Sequence, residues 1–144
     1  MKFQKGETYS QKHGADTKPD LSIKNEILKC TKDGKVPCIV AFEIAEALQI
    51  SPYEVGKTAD LMNFKLTKCQ LGLFGYLPQK KIVQPQDSVK AEIKDAISQS
   101  LSHGRLSCQR AWEIASRFNI NKMAVSSACE TMGIKIKECQ LGAF

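Results

Sequence analysis

The stretch AFEIAEALQISPYEV, residues 41–55, returns as AWEIASRFNINKMAV at residues 111–125. The offset is 70 residues and needs no gap; carried outward, the match runs from Ile23/Ile93 to Phe74/Phe144 with 18 identities in 52 aligned pairs. A repeat this regular is one structural unit written twice, and agreement between the copies marks the positions the unit requires. Ala41, Ile44, Ala45 and Leu48 stand at i, i+3, i+4 and i+7, and Ala111, Ile114, Ala115 and Phe118 keep that spacing. It places one apolar stripe on a helix. Gln49-Ile50-Ser51 and Asn119-Ile120-Asn121 predict a tight turn. In Ser51-Pro52-Tyr53-Glu54 the serine can cap a new helix, the proline needs no donor at its first position, and the glutamate completes a capping box. Asn121 is the capping candidate in the second copy. The helix that follows is expected to bury Val55, Ala59 and Met62, or Val125, Cys129 and Met132, with Gly133 ending it in the left-handed conformation.

Working outward, Ile23 and Ile27, matched by Ile93 and Ile97, fit one face of an earlier helix that Gly34 and Gly104 break. Lys35-Val36-Pro37 and Arg105-Leu106-Ser107 suit a short extended segment. Beyond the last helix the period changes to two: Phe64-Lys65-Leu66 and Ile134-Lys135-Ile136-Lys137 alternate as half-buried strands do. Residues 1–20 are polar, without helical period, and read as a flexible arm. The pattern therefore divides into the arm, a first unit over 21–78, a linker over 79–88 that follows Pro78 and contains Pro85, and a second unit over 89–144. Lys81-Ile82-Val83 within the linker suits a short extended piece. Each copy is near the lower size limit for independent folding, so the copies are expected to pack on each other or on a second chain.

The order helix, strand, helix, turn, helix, strand, carried by Ala41-Phe42-Glu43-Ile44-Ala45-x-x-Leu48-x-Ile50-Ser51-Pro52-x-x-Val55 and its copy Ala111-Trp112-Glu113-Ile114-Ala115-x-x-Phe118-x-Ile120-Asn121-x-x-x-Val125, resembles the winged helix-turn-helix superfamily of transcription regulators. The resemblance covers about 30 residues per copy. It implies a mainly α fold with small β strands (α+β), built as tandem duplicated winged helix-turn-helix units. It also implies double-stranded DNA as partner, with the third helix in the major groove. Carried onto this chain, Arg105, Arg110, Arg117, Lys122, Lys135 and Lys137 would anchor phosphates, with Ser126 and Ser127 near base edges. The first copy offers Tyr53 and Lys57 on its third helix. That helix also carries Glu54 and Asp60, and neither third helix has an arginine, the commonest reader of guanine. A protein-interaction adaptor or a homodimer on the same fold is the alternative. Phe42 and Trp112 would pack on the first helix or form a seam between copies or chains.

The most faithful repeat is the ending Cys69-Gln70-Leu71-Gly72-x-Phe74, which recurs as Cys139-Gln140-Leu141-Gly142-x-Phe144. A wing needs a returning strand, yet the second copy stops at Phe144. The strands at 64–69 and 134–139 are therefore expected to pair with each other across a pseudo-twofold, covering their exposed edges. Cys38, Cys69, Cys108 and Cys139 match between copies and could fill a tetrahedral zinc or redox site, although their spacing is not that of a zinc knuckle. Core packing is the competing reading. His13 and His103 have no counterparts. No nucleophile–base pair, glycine-rich phosphate loop or carboxylate dyad repeats, which argues against an enzyme and leaves no cofactor to expect.

The formal charge is +6, of which residues 89–144 carry +3, an excess that favours an anionic partner for the second copy. No apolar run approaches the roughly 20 residues a membrane span needs. Met1 opens on a polar stretch rather than a signal peptide, so a cytoplasmic protein without membrane partners is expected.

Overall fold

The computed structural model describes residues 18–77 and 79–144; the expected arm lies, up to residue 17 and including His13, outside the described residues. The fold is mainly helical with short strands. In chain order the elements are α1 (Leu21–Cys30), β1 (Lys35–Pro37), α2 (Cys38–Leu48), α3 (Pro52–Leu61), β2 (Lys65–Thr67), α4 (Ala91–Gln99), β3 (Leu106–Ser107), α5 (Cys108–Arg117), α6 (Lys122–Met132) and β4 (Ile136–Lys137).

Local chemistry explains most boundaries. Asp20 caps α1, its Oδ1 accepting from the Ser22 and Ile23 N–H groups at 2.9 and 3.2 Å. Asp33-Gly34 and His103-Gly104 each hold two successive positive φ angles, the signature of a two-residue turn of the primed type. The turns are closed by Lys35 N–H to Lys32 O at 3.3 Å and Arg105 N–H to Ser102 O at 3.0 Å. The bend at 49–51 is present: Gln49 takes φ 54° and Ile50 N–H reaches back to Ala45 O at 3.0 Å. Asn119 (φ 53°) and Ile120 N–H to Ala115 O at 2.9 Å repeat it. Pro52 opens α3 as expected, but neither Ser51 nor Asn121 caps through its side chain. Gly133 ends α6 at φ 70°.

The strands depart from the expected pairing. β2 does not pair with β4. It lies parallel to β1, with Lys35 opposite Lys65, Val36 opposite Leu66 and Pro37 opposite Thr67. β4 lies parallel to β3, with Leu106 opposite Ile136 and Ser107 opposite Lys137. The helical hairpin between the strands of each pair is the crossover that parallel pairing requires. No returning wing strand follows β2 or β4 among the described residues.

Two compact units result, and their borders are not at 79–88. Unit 1 comprises the described residues up to Cys69 together with Gln140–Phe144; unit 2 is Gln70–Cys139. Each Gln-Leu-Gly segment thus belongs to the unit built from the other repeat. In unit 1 the three helices pack mutually around Ile27, Val36, Ala41, Val55 and Ala59, all fully buried, and Leu141 from the far end of the chain is buried as completely. Unit 2 has Ile97, Leu106, Ala111 and Val125 in the same roles, with Leu71 fully buried among its residues. Met62 and Met132, expected in the core, are only half-buried.

The exchanged segments explain why the third helices bury more than one stripe. On α3, Val55, Gly56, Thr58, Ala59 and Asp60 are all buried; on α6, Val125, Ser126, Ala128 and Cys129 are. Gly56 meets the backbone of Leu141 so closely that a Cβ would stand 1.9 Å from its carbonyl oxygen. Gly142, at φ 80°, packs on the Tyr53 ring, where a Cβ would come within 3.1 Å. The equivalent pair in unit 2 is Gly72 on Met123, also with 3.1 Å to spare for a Cβ. Glycine recurs in the ending because the backbone is left-handed there and a helix side chain fills the space where a side chain would stand.

Candidate nucleic-acid interface

The outward face of α6 is where the sequence placed base contacts, and the structure puts the chain itself there. Ile82 and Val83 donate their N–H groups to Gly72 O at 2.9 and 3.2 Å, and Val83 is buried. The Ser127 hydroxyl donates to Gln84 O. Thr131 Oγ1 donates to Gln86 O at 2.9 Å and accepts from Gln86 N–H at 2.7 Å, while Gln86 Nε2 donates to Ala124 O at 2.8 Å. Lys81 pairs with Glu130. The linker residues 81–86 therefore run along α6 as bound backbone outside any named strand.

Ser126 is 1% exposed and Ser127 is committed to the linker, so neither hydroxyl is presented to a base edge. In unit 1, Tyr53 holds Gly142 and Lys57 is half-buried. A helix laid in the major groove must offer its outward side chains to base edges. On α6 that face is occupied; on α3 it is only partly covered, with Tyr53 and Glu54 exposed.

The remaining sequence candidates divide in two. Those on or beside α5 are engaged locally: Arg110 pairs with Glu113 at 3.0 Å, the Arg117 guanidinium lies 5.1 Å from the Phe118 ring centroid, and the Lys122 ammonium lies 4.5 Å from that of half-buried Trp112. Those on the strand pair are not. Arg105 precedes Leu106 and Lys135 precedes Ile136, so the parallel register sets them side by side, and Leu106 N–H donates to Lys135 O at 3.1 Å. Lys137 follows two residues on, on the face that Lys135 takes. Arg105 and Lys135 are exposed and Lys137 half-buried.

Unit 1 builds the same feature from residues the sequence reading passed over. Val36 and Leu66 face the core as a buried pair, so Lys35 and Lys65, directly opposite one another, face outward and are exposed. Lys32, bridged to Lys35 across the turn, and Lys68, just past β2, are exposed beside them. Among the described residues, none of Lys32, Lys35, Lys65, Lys68, Arg105, Lys135 and Lys137 forms an ion pair. The signal was in the alignment: Lys35 matches Arg105 and Lys65 matches Lys135. Only the parallel register makes neighbours of residues 30 apart. Like charges directly opposite on paired strands oppose folding, and an anion placed over them relieves the repulsion.

The matched cysteines are not gathered around a metal position among the described residues. None of the six is in a disulfide, Cys38, Cys69 and Cys108 are buried, and no group of three or more His, Cys, Asp or Glu among the described residues is placed to hold a metal ion. Burial, reinforced by the neighbouring Glu130 carboxylate, pushes the Cys129 thiol up to about 12, away from the reactive thiolate. No helix among the described residues is long and apolar enough to cross a membrane. No protein-family model, no curated protein and no solved structure matches this chain.

Proposed function

We propose that this protein binds nucleic acid, double-stranded DNA in the first instance, through the cationic strand pairs of its two units, gripping phosphates without reading bases. We read the units as a duplicated helix-turn-helix module whose third helix has turned inward to hold a neighbouring segment, with the wing reduced to one parallel strand. A structural or sequence-tolerant role in gene regulation follows, in place of operator recognition. The observation that carries this reading is the facing of Lys35 with Lys65 and of Arg105 with Lys135, none of them in an ion pair among the described residues. Phosphate contacts supply affinity and position but no sequence information.

The test is duplex DNA binding at several salt concentrations. Three or four phosphates engaged by one unit give a slope of log K against log salt of about −3 to −4. The double reversals K35E/K65E and R105E/K135E should each flatten that slope, whereas reversal of Arg110, already paired with Glu113, should change it little. A salt-independent affinity, or a slope indifferent to both double reversals, removes the proposal.

One observation favours the adaptor instead. Leu21 and Leu28, seven residues apart on one face of α1, are 72% and 51% exposed. Salt-insensitive behaviour, together with a partner released by L21S/L28S, would move the reading there.

A further inference from the structure

The ending of each repeat sits in the unit built from the other repeat. In unit 1 the seat on α3 is specific in shape. Gly56 leaves no room for a Cβ beneath the Leu141 carbonyl, Leu141 is fully buried, and Gly142, at φ 80°, lies against the Tyr53 ring. A segment seated there must offer an apolar side chain followed by a residue that accepts positive φ under an aromatic ring, which leucine and glycine supply. Helix and segment stand 85 residues apart in the chain. Between them lies unit 2, which has its own core around Ile97, Leu106, Ala111 and Val125. Nothing in the fit requires that helix and segment belong to one molecule.

The joint supplies a second observation. Glu138, two residues before the exchanged segment, holds φ 56°, and Lys68, its match in the first repeat, holds φ 50°. Neither is the glycine, asparagine or aspartate that visits the left-handed region readily. A joint that straightens releases this strain, and short strained joints favour exchange between copies. In unit 2 the corresponding segment is also tied to the linker, through the Ile82 and Val83 N–H groups on Gly72 O, which places the exchange at unit 1.

We propose that the α3 face of unit 1 is a docking surface for residues 140–144 of a second copy of this chain. Two molecules straighten at residues 138–139, and each seats its ending on the Gly56 of the other. The contacts are those of the single molecule, so exchange costs only the joining of two chains, offset by the release of two strained joints. A molecule closed on itself holds its ending at a high effective concentration, so the exchanged dimer belongs to concentrated protein. Exchange needs no nucleic acid, and neither does its test.

The intact chain, refolded at high concentration, should yield a dimer in sedimentation. Glu138→Gly, which removes the strain from the closed molecule, should weaken that dimer about 25-fold, roughly fivefold for each joint. Two further chains separate acceptor from donor. A chain ending at Cys139 has a vacant seat and no segment, whereas Gly56→Ala has a segment and a blocked seat. Each alone should sediment as a monomer, and their mixture as a 1:1 heterodimer. Adding Leu141→Ser to the donor should weaken the heterodimer at least about tenfold, the scale of burying one leucine. The proposal is overturned if the intact chain forms no dimer, if Glu138→Gly leaves the dimer unchanged or strengthens it, if the mixture of folded variants stays monomeric, or if the Leu141→Ser donor associates as well as its parent. The measurements on the intact chain decide the question even where the shortened chain does not fold.

Discussion

Replacing Gly56 with alanine tests the exchanged architecture directly. In an ordinary helix interior this change stabilises by about 1 kcal/mol, because alanine sacrifices less backbone freedom. At Gly56 the new Cβ would lie 1.9 Å from Leu141 O, 2.8 Å from its carbonyl carbon and 3.0 Å from its Cα. These are backbone atoms and cannot rotate away, so residues 140–144 must leave α3. Leaving exposes Leu141, now fully buried, at a cost of about 2 to 3 kcal/mol. The net expectation is a loss of about 1 to 2 kcal/mol, measured by urea unfolding and by hydrogen exchange at the Val55 and Ala59 amides. In a chain ending at Cys139 the obstacle is gone, and the same substitution should stabilise by about 1 kcal/mol. The coupling between the two changes, about 2 to 3 kcal/mol, is the energy of the docked segment. Equal stabilisation in the full and shortened chains would refute the placement of Leu141 on Gly56.

Two further outcomes follow from the charged and buried groups. Lys65→Gln relieves the repulsion with Lys35, so it should raise stability by roughly 0.2 to 1 kcal/mol in a thermal melt while lowering affinity for duplex DNA; a loss of both would mean that Lys65 is a packing residue. Cys129 titrates at about 12 when folded and near the ordinary thiol value of 9.0 when unfolded. Its contribution is complete below pH 9. Above that the unfolded chain releases the proton first, so stability falls by about 1.4 kcal/mol per pH unit until the folded pKa is reached. Subtracting the profile of Cys129→Ala isolates this slope, and coincident profiles would show that the thiol is hydrated.

What the amino-acid sequence determines here is local. The 3.6-residue spacing of Ala41, Ile44 and Ala45, the left-handed positions at Gln49 and Gly133 and the alternation through Lys65-Leu66 each depend on a few neighbouring residues, and the helices of the described residues and the bends between α2 and α3 and between α5 and α6 follow from them. The mispaired strands and the inward-facing third helices have a different origin. Repetition of Cys-Gln-Leu-Gly announces that Leu71 and Leu141 are needed in a core. The hydrophobic effect is non-directional, and burial against either copy satisfies it equally. Steric detail far apart in the chain decides between them. Gly56 admits the backbone of Leu141, 85 residues away, and the parallel register brings together Lys35 with Lys65 and Arg105 with Lys135. The candidate site therefore comes from tertiary structure: its charges are visible in the chain as matched residues, but only strand pairing sets them face to face.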